Sequence, residues 1–250
     1  MHVFLIMVKL LLTSSGISNP GIQNALTALL GKPIAECKAL FVPTGVYPFP
    51  NGAYYAQRAI SGTIASPLAQ LGWLSLGVLE LTALPSIDEK VWQPTIEEAD
   101  AILVWGGDPL YLAYWLEESG LNAFLRSLGK DIVYVGVSAG AIATARIFAE
   151  TYSNPPAGKH YALNKENIAF ETSQGIVSRT LVTANGAGLV NFAVIPHYQN
   201  PDFADACEPN ASTWASKIPA PVYAIDEQSA IVVSDGKTEI VSEGDWKLFH

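Results

Sequence analysis

The feature that most restricts what this sequence can fold into is a series of short apolar runs. They do not alternate with polar residues, and a turn signal closes most of them. Lys9–Thr13 ends in Ser14-Ser15-Gly16, residues 39–42 in Pro43-Thr44-Gly45, residues 101–105 in Gly106-Gly107, and residues 131–137 in Ser138. Residues 76–81 form a further run of the same kind. A strand with one wet face alternates in hydropathy, whereas a strand that is apolar throughout is buried on both faces. Between these runs stand segments with helical spacing: Pro20–Leu30, closed by Gly31, then 53–71, a short turn at 95–99, and 109–128. The last begins on Pro109, whose missing N–H costs nothing at a helix start. Strand and helix in alternation predict an α/β fold with a mostly parallel, doubly wound sheet. No linker, internal repeat or low-complexity stretch interrupts the 250 residues, which read as a single α/β domain.

Beyond Ser138 the pattern changes. Residues 152–180 are more polar and contain Pro155-Pro156 and Gly158, as expected of a hairpin or lid standing off the sheet. Residues 192–195 and Val222–Ile225 are further short strands. Residues 230–234 and 238–241 flank Asp235-Gly236, the signature of a hairpin with a type I′ turn. At the N-terminus, the apolar stretch 1–12 is too short to span a bilayer, is interrupted by Lys9, and has neither a basic start nor an A-x-A site after it. It reads as the first strand, with Met7 as an alternative start.

The strongest chemical signal is Gly136-Val137-Ser138-Ala139-Gly140-Ala141, set where a buried strand meets a helix. G-x-S-x-G in that setting is the nucleophile elbow. A sharp turn lifts the Ser hydroxyl above the sheet, small neighbours admit a substrate, and the following helix offers free N–H groups. The Ala139 amide would then point at a developing oxyanion. Chance produces this pentapeptide about 0.1 times in a chain of this length. The plainer reading is a tight turn that wants Gly and Ser for backbone reasons alone.

A nucleophilic Ser needs a base. His2 and His250 are terminal, and His160 lies in the polar excursion, where a packing or surface role is the simpler one. His197 follows the strand 192–195, at the kind of strand end where open α/β sheets build sites. The orienting acid is less determined. Asp226 and Glu227 both follow Val222–Ile225 and, as neighbours on extended chain, point opposite ways. Asp202, Asp205 and Glu150 are rivals. The Gly106-Gly107-Asp108-Pro109 turn, after another strand, offers a candidate second oxyanion donor or is simply a tight turn before a helix.

Composition narrows the partners. Half the residues are hydrophobic and 15% are charged, which excludes a disordered chain. The formal charge of −9, with no basic run, argues against nucleic acid. Two cysteines, Cys37 and Cys207, are too few for a disulfide scaffold and lack metal-ligand spacing, so reduced thiols and a cytoplasmic location are expected. No G-x-G-x-x-G, phosphate loop or His/Cys cluster is present, so neither a metal nor an organic cofactor is expected.

Taken together, these motifs resemble the peptidase E family of serine dipeptidases, the aspartyl dipeptidases, to which cyanophycinase is related. The resemblance rests on Gly106-Gly107, on Gly136 to Ala141, on Pro196-His197-Tyr198 at 59 residues after Ser138, and on Glu227 at 30 residues after His197. It extends to Leu10-Leu11-Leu12-Thr13-Ser14-Ser15-Gly16 and Phe41-Val42-Pro43-Thr44, and so covers most of the chain. It implies a class I glutamine-amidotransferase-like three-layer sandwich. It further implies Ser138 as nucleophile, His197 as base then acid, Glu227 as orienter, and the Gly107 and Ala139 amides as oxyanion hole. The implied activity is cleavage of small peptides, dipeptides with an acidic first residue among them, by a monomer or homodimer that needs neither nucleic acid nor membrane.

Two positions depart from the family pattern. Asp108 stands where the family has Asn after its Gly-Gly pair, and an anion beside an oxyanion hole is acceptable only if it turns away, for instance to cap the next helix. A basic residue downstream of the His, which would read an N-terminal Asp, is represented between His197 and Glu227 by Lys217 alone. The Arg residues are Arg58, Arg126, Arg146 and Arg179. Three other readings compete. An α/β-hydrolase esterase shares the elbow but wants Ser, Asp, His in chain order, and His250 is the one late His. A glutamine amidotransferase wants Cys where Ser138 stands. A non-catalytic small-molecule or peptide binder would keep the elbow and misplace the acid or the oxyanion donors.

Overall fold

A computed structural model describes residues 8–63, 68–172 and 175–250. His2 and the question of the start at Met7 lie outside the described residues. The strands are β1 Lys9–Thr13, β2 Lys38–Val42, β3 Ser75–Val78, β4 Ala101–Val104, β5 Val133–Val137, β6 Ile147–Tyr152, β7 Ala162–Thr172, β8 Gly175–Asn185, β9 Ala193–Ile195, β10 Val222–Ile225, β11 Ser229–Ser234, β12 Lys237–Ser242 and β13 Trp246–Phe249. The helices are α1 Pro20–Leu30, α2 Gly52–Ile60, α3 Glu89–Glu98, α4 Pro109–Glu118, α5 Leu121–Ser127, α6 Ala139–Ile142 and α7 Glu208–Ala215.

The main sheet has the order β12-β11-β1-β5-β4-β2-β3. Its five strands from β1 to β3 are mutually parallel, and the β11–β12 hairpin is added antiparallel on β1. The unbroken apolar runs serve both faces of this sheet. Leu10, Leu12, Leu40, Val42, Ile102, Val104 and Tyr134 point into one core. Leu11, Ala39, Phe41, Leu103, Val133 and Val135 point into the other, against Ile22, Leu26 and Leu29 of α1. Period-two alternation of two buried faces is what a doubly wound sheet requires. Asp235 and Gly236 both have positive φ, as the expected I′ turn demands.

Several boundaries depart from expectation for local reasons. The helix expected over 53–71 stops at Ile60, where Arg58 binds the carbonyl of Thr63 and folds the chain back. The strand expected over 76–81 ends at Val78, because Thr44 takes over the pairing: its Oγ1 accepts the Leu81 amide and donates to Glu80. The turn expected at 95–99 is the end of α3, which starts at Glu89 behind the Asp88 cap, continues through Pro94 and is anchored by buried Trp92 and Ile96. The helix expected over 109–128 is two, separated by Ser119-Gly120, with the Ser119 hydroxyl accepting the Leu121 amide.

The excursion is a three-stranded antiparallel sheet, β6-β8-β7, larger than a lid. Strands β9 and β10 form a separate sheet with β13, in the order β13-β10-β9. Residues of β6 to β10 share the core on the α3–α5 side of the main sheet. No helix among the described residues is long and apolar enough to cross a membrane. Cys37 and Cys207 are both free thiols.

Candidate active site

The end of β5 carries Ser138 in a conformation that an L residue rarely adopts, φ 51° and ψ −111°. Such a backbone costs about 1–3 kcal/mol and persists where the surroundings enforce it. Here the Ser138 amide is tied to the carbonyl of Thr13 at the end of β1, 2.9 Å away. The two glycines of the motif let the turn close. A Cβ on Gly136 would lie 2.5 Å from the Gly140 oxygen, and a Cβ on Gly140 would lie 2.3 Å from the Val104 oxygen. The helix behind the serine, α6, is a single turn, because the chain leaves it at Ala143 to pair Ala145 with Val190. Its contribution is therefore the free first-turn amide of Ala139 rather than a long-helix dipole.

His197, just past β9, also has positive φ, 61°. Its Nε2 is 3.0 Å from Ser138 Oγ and its Nδ1 is 2.8 Å from Glu227 Oε1. With Nδ1–H donating to the carboxylate, Nε2 is left as an acceptor for the serine proton. Ser14, at the end of β1, fixes the frame of both loops. Its hydroxyl donates to the Ile225 carbonyl at 2.8 Å and accepts the His197 amide at 3.1 Å. Asn200 donates to the same Glu227 oxygen at 2.5 Å, and Phe203 stacks on the imidazole with centroids 3.9 Å apart.

Of the two neighbouring acids, Glu227 faces the histidine. Asp226 turns to the β10–β11 connection, where it accepts the Gln228 and Asp245 amides and the Ser229 hydroxyl. Ser14, Asn200 and Phe203 were not singled out from sequence. Asn200, three residues past His197 on the same loop, had the nearest thing to a readable signal.

His160, His250 and Lys217 are not among the residues grouped around Ser138 and His197. His160 accepts the Ala162 amide within its own loop, and His250 is exposed at the chain end. Lys217 pairs with Glu166. Asp108 caps α4 by accepting the Tyr111 amide at 2.7 Å, which is the capping role its position suggested. Gly107 sits at φ 133° against the 44–46 loop, and the Asp108 amide binds the Gly45 carbonyl at 2.8 Å.

A cavity of about 450 Å³ opens from Ser138, His197 and Gly107 and is walled by Asp108, Glu150 and Tyr152 among others. Burial, reinforced by the charges of Asp108 and Asp205, pushes the Glu150 carboxyl up to about 8, so it is largely protonated at neutral pH. Burial also raises Asp108, against the pull of the Tyr111 amide. Chemically, the assembly can deprotonate a hydroxyl, deliver it to a carbonyl held in the cavity, and offer amides to the oxygen.

Comparison with known proteins places the chain among peptidases. The model of peptidase family S51 matches residues 10–241. An uncharacterized peptidase of Listeria monocytogenes is 25% identical over 164 residues, covering 64% of this chain and 69% of the relative. One from Listeria innocua is 26% identical over 166 residues, covering 65% and 68%. Among solved structures, one assigned to peptidase E from Listeria monocytogenes superposes with a TM-score of 0.56 at 19% identity, over 95% of this chain and 100% of that one. A peptidase from an acI-B1 Actinobacterium gives 0.58 at 19% identity, over 97% of each chain. At that identity the two structures speak for the fold.

Proposed function

The chain belongs to peptidase family S51 and is a serine-type peptidase, and on that premise we propose that it cleaves short peptides through Ser138, His197 and Glu227. The observation that carries the reading is the continuous relay from the Glu227 carboxylate through both ring nitrogens of His197 to the Ser138 hydroxyl, at 2.8 and 3.0 Å.

Ser138 Oγ attacks the scissile carbonyl while His197 Nε2 takes its proton. The carbonyl oxygen, now carrying the charge, is held by the amides of Gly107 and Ala139. Collapse breaks the C–N bond, and His197 returns the proton to the departing amine. Water, deprotonated in turn by His197, then releases the acyl group from Ser138. The Glu227 carboxylate keeps Nδ1 protonated and stabilises the imidazolium that forms in each half. A cavity of about 450 Å³ suits one or two residues of a peptide, which favours a dipeptidase over a proteinase. The non-catalytic alternative needs a misplaced acid, and the 2.8 Å contact of Glu227 weighs against it.

The test is hydrolysis of a panel of dipeptide amides and p-nitroanilides by the wild type and two neighbouring variants. Glu227→Gln is expected to lower kcat by about 10²- to 10⁴-fold. Asp226→Asn is expected to lower Tm by a few degrees through loss of its turn bonds, with kcat within about threefold of wild type. The reverse order would assign the acid to Asp226.

A further inference from the structure

We propose that the cavity beside Ser138 selects peptides whose acyl-side residue carries a positively charged side chain, of the Lys or Arg class, over those with Asp or Glu there. This deepens the serine-peptidase reading and rests on it.

Carboxyl groups reach the cavity from separate parts of the fold. Asp108 comes from the start of α4, Glu150 from β6, and Asp202 and Asp205 from the segment that follows His197. Arg179 of β8 is the one cation among the described residues that line it. Its charge is offset by a neighbouring carboxylate. Its Nε lies 2.8 Å from Asp205 Oδ2, an oxygen that also accepts the Thr151 hydroxyl at 2.9 Å. An acidic side chain entering here would lose its water, meet the carboxylates of Asp108 and Asp202, and find the charge of Arg179 offset by Asp205.

A cationic side chain meets the opposite situation. Tyr152 keeps its hydroxyl beside Asp108, so the Asp108 carboxylate remains on the cavity side of the start of α4. Trp214 and Tyr152 supply apolar wall for the methylene stem of a long basic side chain. Glu150 is the group most responsive to such a ligand, since an arriving cation favours its ionised form.

The test separates selection from catalysis. Lys-Ala, Leu-Ala and Asp-Ala are titrated calorimetrically into the Ser138→Ala protein, and the corresponding Lys, Leu and Asp p-nitroanilides are turned over by wild type. Lys-Ala is expected to bind at least about tenfold more tightly than Leu-Ala and about 100-fold more tightly than Asp-Ala, with kcat/KM in the same order. Glu150→Gln is expected to shrink the Lys-to-Leu ratio about tenfold, and Asp205→Asn, by freeing Arg179, to raise the Asp-to-Leu ratio. If Glu150→Gln does not fold, the wild-type ratios and Asp205→Asn decide.

Tightest binding of Asp-Ala, or equal or undetectable binding of all three dipeptides, overturns the inference. Turnover that depends on Ser138 but prefers Asp overturns the selectivity and leaves the peptidase reading intact. Lys-selective binding with no turnover of any substrate, or with turnover that survives Ser138→Ala, overturns the assignment of Ser138 and leaves the selectivity standing.

Discussion

Ser138→Ala is expected to abolish peptide hydrolysis, with a fall in kcat of about 10⁴- to 10⁶-fold, and to leave the protein folded. Both halves follow from the geometry. The hydroxyl bonds to His197 Nε2 and is the proposed nucleophile, a part that alanine cannot play. What holds the elbow is backbone: the Ser138 amide on Thr13, the close passage of Gly136 over Gly140, and that of Gly140 over Val104. Alanine keeps all three and carries the same positive-φ strain, so Tm should move by no more than a few degrees. A protein that unfolds on this change would place a structural duty on the hydroxyl that the geometry does not. Activity within about tenfold of wild type would mean that another group attacks.

Gly107→Ala should be nearly as damaging by a different route. A Cβ there would lie 2.0 Å from the Gly45 oxygen and 2.7 Å from the Val46 nitrogen, both backbone atoms, at a φ of 133° that L side chains avoid. The loop after β4 and the loop after β2 cannot both stay in place. Their separation would pull the Gly107 amide away from the carbonyl oxygen it is proposed to stabilise. Loss of one such donor costs about 10²- to 10³-fold in kcat, and the steric conflict adds about 2 kcal/mol or more of instability. Kinetics and thermal unfolding on the same preparation separate the two effects. An unchanged kcat in a folded Gly107→Ala protein would remove Gly107 from the oxyanion hole.

The sequence was most legible where local chemistry and burial agree. β1 and α1 fall on the residues that the pattern picks out, because Pro20 and Gly31 punctuate the helix and the Leu run is buried on both sides. The elbow was legible because small residues at fixed spacing have few other uses. Reading failed where a distant partner decides. Thr44 ends β3 early from 37 residues away in the chain, and Ser119-Gly120 breaks a pattern that hydropathy alone carries through.

The choice between Asp226 and Glu227 was open for the same reason. Adjacent carboxylates look alike in sequence, and only the placement of β9 beside β10 decides which meets His197. Ser14 was legible as a turn residue but not as a tie between loops, because its partners, Ile225 and His197, lie about 200 residues further along the chain. The assignment of β6 to β10 to two small sheets of their own was likewise beyond pattern reading, since short buried strands look the same in any sheet.

The most direct test of the central claim is covalent capture of the nucleophile. The wild type and a His197→Ala variant are incubated with a serine-directed aryl phosphonate, and the intact mass and the proteolytic peptides are measured. The account predicts a single adduct on the peptide containing Ser138, formed by the wild type and lost or slowed by about 10³-fold or more in His197→Ala. No adduct, an adduct on another residue, or labelling of Ser138 that is indifferent to His197 would contradict it.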